Sequence, residues 1–131
     1  MGFDNDSFLD DYEIKELIER FENQLEQDRL SFFDADELNI IIDYYIQNDE
    51  LDKVKVVAQL AERFHADSTL FNTIMAKRYL SVQDAENAIK YLDKNESNSQ
   101  DPDFYVNLGY CLSLLNDHRK SIYAYKKAIK L

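Results

Sequence analysis

The stretch YVNLGYCLSLLNDHRKSIYAYKKAIK, residues 105–130, decides the fold of this chain. Its apolar residues recur at spacings of three and four, which is typical of amphipathic helices. A short polar segment, Asn116-Asp117, divides it into two helices. Gly109 stands inside the first helix, where glycine costs about 1 kcal/mol relative to alanine. An isolated helical glycine usually has a packing reason, so we expect a close contact at this position.

The same pattern occurs twice more upstream. Residues 38–61 and 72–95 align with the stretch that starts at Tyr105, with offsets of 34 and then 33 residues. Residues of the type preferred at helix N-caps precede the three units at the same offsets: Asp34, Ser68 and Asp101. Each unit therefore predicts a pair of helices. Examples of aligned positions are Ile41, Met75 and Leu108, then Tyr45, Tyr79 and Leu112, then Val54, Ala88 and Ser121.

These units resemble the tetratricopeptide repeat, a helix-turn-helix motif of about 34 residues with the signature Trp-x2-Leu-Gly-x2-Tyr followed by Ala-x3-Phe. The resemblance covers residues 35–131. It implies an all-α fold, a right-handed α-solenoid of three helix hairpins (35–68, 69–101 and 102–131) within residues 31–131. The matching residues are Tyr105, Leu108, Gly109, Leu112, Ser121, Tyr125 and Ala128 in the third unit; Met75, Ala76, Tyr79, Ala88 and Leu92 in the second; and Ile41, Ile42, Tyr45, Val54, Ala58 and Ala61 in the first.

The resemblance also assigns structural roles to three small residues. In this family the small residue after the signature leucine lies where the two helices of a hairpin approach most closely. That role falls to Gly109 in the third unit and to Ala76 in the second, while Ala88 occupies the signature alanine of the second helix. Ile42 departs from the pattern, which predicts a splayed or repacked first hairpin.

The chain ahead of the repeats is predicted to have two parts. We expect residues 1–7 to form a disordered acidic tip. Residues 8–30 carry one apolar stripe at helical spacing, which we interpret as a helix that caps the first repeat. A helix swapped onto, or bound to, another molecule is the alternative. The stripe consists of Ile14, Leu17, Ile18, Phe21 and Leu25.

The composition and charge of the chain limit the kinds of partner that it can bind. The 131 residues carry a net charge of −11 and are long enough for one domain. Residues 1–50 hold 16 acidic and 3 basic side chains. Such a surface is unsuited to nucleic acid, and we interpret it as a solvated face, with an acidic face for a basic partner as the alternative. One cysteine, no long apolar span and no signal-peptide pattern predict a cytoplasmic protein without a membrane segment.

The sequence lacks the motifs of common catalytic chemistry. Two glycines in the whole chain exclude a glycine-rich phosphate loop. His65 and His118 have no Cys or His partners at metal-ligand spacing. Cys111 is interpreted as a small buried apolar residue. We therefore expect no catalytic, cofactor or metal site, and we expect that the protein is not an enzyme.

The resemblance implies a protein–protein interaction scaffold or adaptor that binds a peptide or a partner-protein segment in a concave groove. In the family, one face of the first helices lines that groove. A family clamp for C-terminal carboxylates would here have Asn39 and Lys77, but Asp43 would repel the ligand, so an adaptor for chaperone tails is disfavoured. The predicted groove residues are Asn39, Asp43, Thr73, Lys77, Val106 and Tyr110.

The alternative function is a structural unit that self-assembles through its C-terminal end. The last helix carries Ile122, Tyr125, Ala128 and Ile129, apolar residues that a following helix would normally cover in part. We expect either that the chain continues beyond Leu131 or that this end docks onto another molecule, for example in a homo-oligomer.

Overall fold

The computed structural model describes residues 9–29, 32–93 and 99–131. Over these ranges the regular structure is helical and contains no strand, which confirms the predicted all-α class. In this part of the chain, no helix is both long and apolar enough to cross a bilayer. The predicted acidic tip, residues 1–7, lies outside the described residues. The helices are α1 (Asp11–Glu26), α2 (Ala35–Gln47), α3 (Leu51–Phe64), α4 (Phe71–Leu80), α5 (Ala85–Leu92), α6 (Pro102–Leu114) and α7 (His118–Lys130).

The helices pack on near neighbours in the chain. Helices α2 and α3, α4 and α5, and α6 and α7 form contacting pairs joined by short links. The first members of these pairs also touch, α2 with α4 and α4 with α6, while α1 packs on α2. A surface that runs across α2, α4 and α6 is therefore built from three helices in succession.

The apolar core has two clusters along this series. The first joins α1, α2 and α3 around the fully buried Phe21 and Tyr45, whose ring centroids are 5.9 Å apart. The Tyr45 hydroxyl donates to the Glu22 carboxylate at 2.7 Å, and Lys53 donates to the same carboxylate at 3.3 Å. The second cluster joins helices α4 to α7 and includes Leu92 and Cys111. The hydrogen bond from Tyr45 to Glu22 fixes α1 against α2, because a buried hydroxyl needs a partner.

The links within the three pairs share one geometry. Asp49, Gln83 and Asn116 have φ of 57°, 60° and 66°, and they are spaced by 34 and then 33 residues. At each link the next amide donates to the carbonyl five residues before it, as in the Schellman motif that ends many helices. These bonds join Glu50 to Tyr45, Asp84 to Tyr79 and Asp117 to Leu112. The left-handed residues thus recur along the backbone at the same spacing as the repeat units recur in the sequence.

Two of the three predicted caps, Asp34 and Asp101, begin their helices as expected, and the third, Ser68, does not. Asp34 and Glu37 form a reciprocal capping box at α2, and Asp101 caps α6. Helix α4, however, begins at Phe71 rather than directly after Ser68. The Ser68 hydroxyl accepts from the Leu70 amide at 3.0 Å, and its carbonyl accepts from the Phe71 amide at 3.1 Å. Ser68 therefore stabilises a turn that precedes the helix.

Gly109 lies where α6 meets α7. A Cβ at this position would be 2.7 Å from Cε1 of Tyr125, closer than carbon atoms can approach. The Gly109 carbonyl accepts a hydrogen bond of 2.7 Å from the buried Ser121 hydroxyl. Its φ is not positive, so the glycine provides space for the Tyr125 ring rather than an unusual backbone conformation.

Candidate functional site

The predicted groove residues lie on helices α2, α4 and α6, and we call the surface they define the α2/α4/α6 face. Three of them are brought together in space. The Lys77 ammonium lies 2.9 Å from the Asn39 amide oxygen and 2.9 Å from the nearer carboxylate oxygen of Asp43. Thr73 is buried one helical turn before Lys77. The residues of the face are Asn39, Asp43, Thr73, Lys77, Val106 and Tyr110.

Lys77 is bound within the chain rather than offered to solvent. Its side chain is 8% exposed, whereas that of Asp43 is 46% exposed. A buried ammonium is costly unless it is paired and hydrogen-bonded, and the two oxygens of Asp43 together with Asn39 meet that need. The pair links α2 to α4. The two side chains that the sequence offers for a carboxylate clamp, Asn39 and Lys77, therefore bind each other.

The α6 end of the face has a different character. Val106 and Tyr110 are 46% and 38% exposed, and they take no part in the Lys77 hydrogen bonds. The phenol of Tyr110 is near that of Tyr125. Burial first, and the neighbouring Tyr110 second, raise the pKa of Tyr125. The face therefore passes from a neutralised ion pair between α2 and α4 to exposed apolar and aromatic surface on α6.

A groove between α1 and α2 was not anticipated from the sequence. It has a volume of about 740 Å³, and its apolar lining is Leu9, Leu17 and Ile40. Five carboxylate side chains and one arginine complete the lining: Glu13, Glu16, Asp34, Asp36, Glu37 and Arg20. Arg20 lies 2.6 Å from Glu37. The acidic excess of residues 1–50 was visible in the sequence, but the groove depends on how α1 packs on α2.

A second groove, of about 690 Å³, lies between α5, α6 and α7. The Lys127 ammonium is 5.2 Å from the ring centroid of Tyr105 and 5.9 Å from that of Tyr123. An ammonium at this distance from an aromatic face is attracted by the electron density of the ring. The groove thus combines cationic and aromatic groups, and the exposed helix α7 contributes much of its lining.

Cys111 and His65 are engaged in structural contacts. Cys111 is fully buried, its Sγ lies 3.3 Å from the Ala85 carbonyl oxygen, and burial raises the pKa of its thiol to about 11. His65 is half-buried and its Nε2 is 2.6 Å from the Phe33 carbonyl oxygen. Among the described residues, no three His, Cys, Asp or Glu side chains are grouped so as to hold a metal ion.

The buried Cys111 is poorly suited to act as a nucleophile. A thiol with a raised pKa is a poor nucleophile at neutral pH, because the thiolate is the reactive form. The exposed polar and aromatic groups of the α2/α4/α6 face can instead form hydrogen bonds and apolar contacts with another molecule. Comparison with known protein families, with curated proteins and with solved structures finds no match to this chain.

Proposed function

We propose that this chain is a protein–protein interaction scaffold, and not an enzyme, that binds a peptide or a partner-protein segment on the α2/α4/α6 face. The proposed architecture is a right-handed α-solenoid of three hairpins similar to tetratricopeptide repeats, behind the N-terminal helix α1. In such an array each hairpin buries its apolar surface against its neighbours, and the first helices line a continuous groove.

The observation that carries the proposal is the succession of contacts α2–α4–α6. These are the first helices of the three pairs, and they touch in the order in which the repeats follow in the chain. The left-handed link residues Asp49, Gln83 and Asn116 support the same arrangement, because they recur at the period of the repeat. A protein whose pairs stacked through other helices would not form one surface from α2, α4 and α6.

The chemistry of the face suggests what kind of segment it binds. At α2, Asp36 is exposed and the Asp43 carboxylate remains partly accessible beside Lys77. At α6, Val106 and Tyr110 offer apolar area, and tyrosine is enriched among the residues that dominate binding energy. We therefore expect an extended or helical ligand with a basic residue near α2 and an apolar anchor near Tyr110.

A selection of peptides from a displayed random library on the purified protein tests this proposal. We expect the selected peptides to carry a basic residue at one end and an apolar residue at the other. Tyr110→Ala should weaken their binding by about tenfold or more, because truncation of an aromatic side chain that dominates binding costs about 2 kcal/mol or more, and about 1.4 kcal/mol is tenfold.

The matched control is Tyr12→Ala, which removes another exposed tyrosine, on α1, away from the face. It should leave peptide binding unchanged. Lys77→Glu is unsuitable as a binding test, since it would place a carboxylate against Asp43 and destabilise the fold. If Tyr110→Ala and Tyr12→Ala bind the selected peptides equally, the α2/α4/α6 face is not the binding site.

A further inference from the structure

We propose that the exposed face of α7 docks head to tail into the acidic groove between α1 and α2 of a second copy of this chain. The proposal differs from the peptide-binding function above, since it uses neither Tyr110 nor Lys77 and shares only Asp36 with that face. It rests on three observations: an uncovered apolar stripe on α7, the positive charge beside that stripe, and a groove of opposite charge on the same molecule.

The stripe consists of Ile122, Tyr125 and Ile129, which are 55%, 37% and 85% exposed. Their spacing, i, i+3 and i+7, places them on one side of the helix. On its other side α7 buries Ser121 and Ala124 against the rest of the molecule. An amphipathic helix with exposed apolar anchors at this spacing matches the mode in which a helix binds in an apolar groove.

Comparison with the upstream units distinguishes Tyr125 from the other two residues of the stripe. The repeat offsets align Tyr125 with Leu92 in α5 and with Ala58 in α3, and these residues are 1% and 0% exposed. Tyr125 packs on Gly109 of α6, and 37% of it is still exposed. In the first unit, the positions aligned with Ile122 and Ile129 hold the exposed charged residues Lys55 and Glu62, so α7 carries exposed apolar residues where α3 carries charges.

The charges on α7 and in the groove are opposite. Residues 118–131 contain five Lys or Arg side chains and no Asp or Glu. At 100° per residue, Arg119, Lys126 and Lys130 lie on the exposed side next to the stripe. The α1/α2 groove presents the apolar residues Leu17 and Ile40 among its carboxylates. In the proposed contact, the apolar stripe and the basic side chains of α7 in one copy meet the apolar residues and the carboxylates of the groove in the next copy.

The carboxylates Glu16 and Asp36 are best placed to meet these lysines. Glu13 and Asp34 accept backbone amides in the caps of α1 and α2, and Glu37 pairs with Arg20. Glu16 and Asp36 line the groove, are exposed and carry no capping role. The lengths also agree, because at about 1.5 Å per residue the helices α1 and α7 each extend roughly 20–24 Å.

The charges further determine the symmetry of the contact. Two copies that paired through α7 alone would bring two sets of lysines together, and two acidic grooves would repel each other in the same way. The attractive arrangement joins unlike faces, so each added copy leaves one groove and one α7 face available. Such heterologous contacts produce rings or open filaments rather than closed two-fold dimers.

Light scattering of the full chain over a range of concentrations tests the proposal. We expect the weight-average mass to rise above that of the 15.5 kDa monomer as concentration increases. The rise should be smaller at high salt, because salt screens attraction between exposed charges. The α7 variant Ile122→Glu/Ile129→Glu and the groove variant Glu16→Lys/Asp36→Lys should each weaken association by about tenfold or more.

Mixing the two variants provides the decisive measurement. The α7 variant keeps an intact groove and the groove variant keeps an intact α7 face. An equimolar mixture should therefore form a complex of one copy of each, which cannot extend further. Two matched controls, Val82→Glu and Asp52→Lys/Glu62→Lys, introduce the same kinds of charge at exposed positions away from both faces and should associate like the unmodified chain.

Several results would overturn the proposal. One is a constant monomer mass at every concentration of the unmodified chain. Another is association of the groove variant as strong as that of the unmodified chain, which would mean that α7 meets a different surface. The third is a mixture of the two variants that stays monomeric. Circular dichroism of each variant verifies that loss of association is not loss of fold.

Discussion

The ring of Tyr125 occupies the space into which a side chain at residue 109 would extend. Gly109→Leu should destabilise the protein by about 1–3 kcal/mol, because the added atoms overpack the contact between α6 and α7. Gly109→Ala should change stability little, since the displacement of a partly exposed ring offsets a gain of about 1 kcal/mol in helix propensity. Urea denaturation measures both.

A double-mutant cycle isolates the role of the ring. In the background of Tyr125→Leu, the residue that the second unit has at the aligned position, Gly109→Ala should become stabilising by about 1 kcal/mol because the propensity gain remains and the clash is removed. An equal effect of Gly109→Ala in both backgrounds would show that the Tyr125 ring is not the obstacle.

The ends of α2, α4 and α6 depend on residues in the left-handed conformation, and Gln83 is the least suited of them. Asparagine and aspartate visit this region more readily than glutamine does. Gln83→Gly should therefore raise stability by about 0.5–1 kcal/mol, because glycine adopts φ of 60° without steric cost. Thermal unfolding followed by circular dichroism measures the change.

The matched control is Gln59→Gly, the same substitution at an exposed position inside α3. There glycine has no conformational advantage and should lower stability by about 1 kcal/mol. If Gln83→Gly and Gln59→Gly shift the melting temperature in the same direction, the α4–α5 link is not a left-handed helix end.

Across the whole molecule, destabilisation of one helix should affect mainly the helices that contact it. Phe21 in α1 is fully buried against Phe33 and Tyr45, so Phe21→Ala should cost about 3–5 kcal/mol. Extensive helix contacts join elements that are adjacent or next but one in the chain. Hydrogen exchange should therefore accelerate most in α1, α2 and α3, and least in α6 and α7.

Tyr12→Ala on the exposed side of α1 serves as the control and should leave exchange unchanged. Equal acceleration in all seven helices of the described chain would show instead that the two apolar clusters unfold as one cooperative unit. The result distinguishes a modular array from a single globular core, which is the property on which the proposed solenoid architecture depends.

The sequence alone determined the features that depend on residues a few positions apart. The 3.6-residue period of apolar side chains predicted helices, and the all-α class is confirmed. Asp34 with Glu37, and Asp101 before Pro102, indicated two helix starts, because a capping side chain binds amides two or three residues away. These signals are local, so they can be interpreted without knowing how the chain packs.

Only the tertiary structure decided which side chains meet across helices. The burial of Lys77 against Asp43 joins residues 34 positions apart, and each of them alone resembles an ordinary exposed charge in the sequence. The acidic groove and the exposed stripe of α7 likewise depend on which faces neighbouring helices cover. Burial changes the energy of a charge or an apolar group far more than sequence context does, so these contacts appear only once the helices are packed.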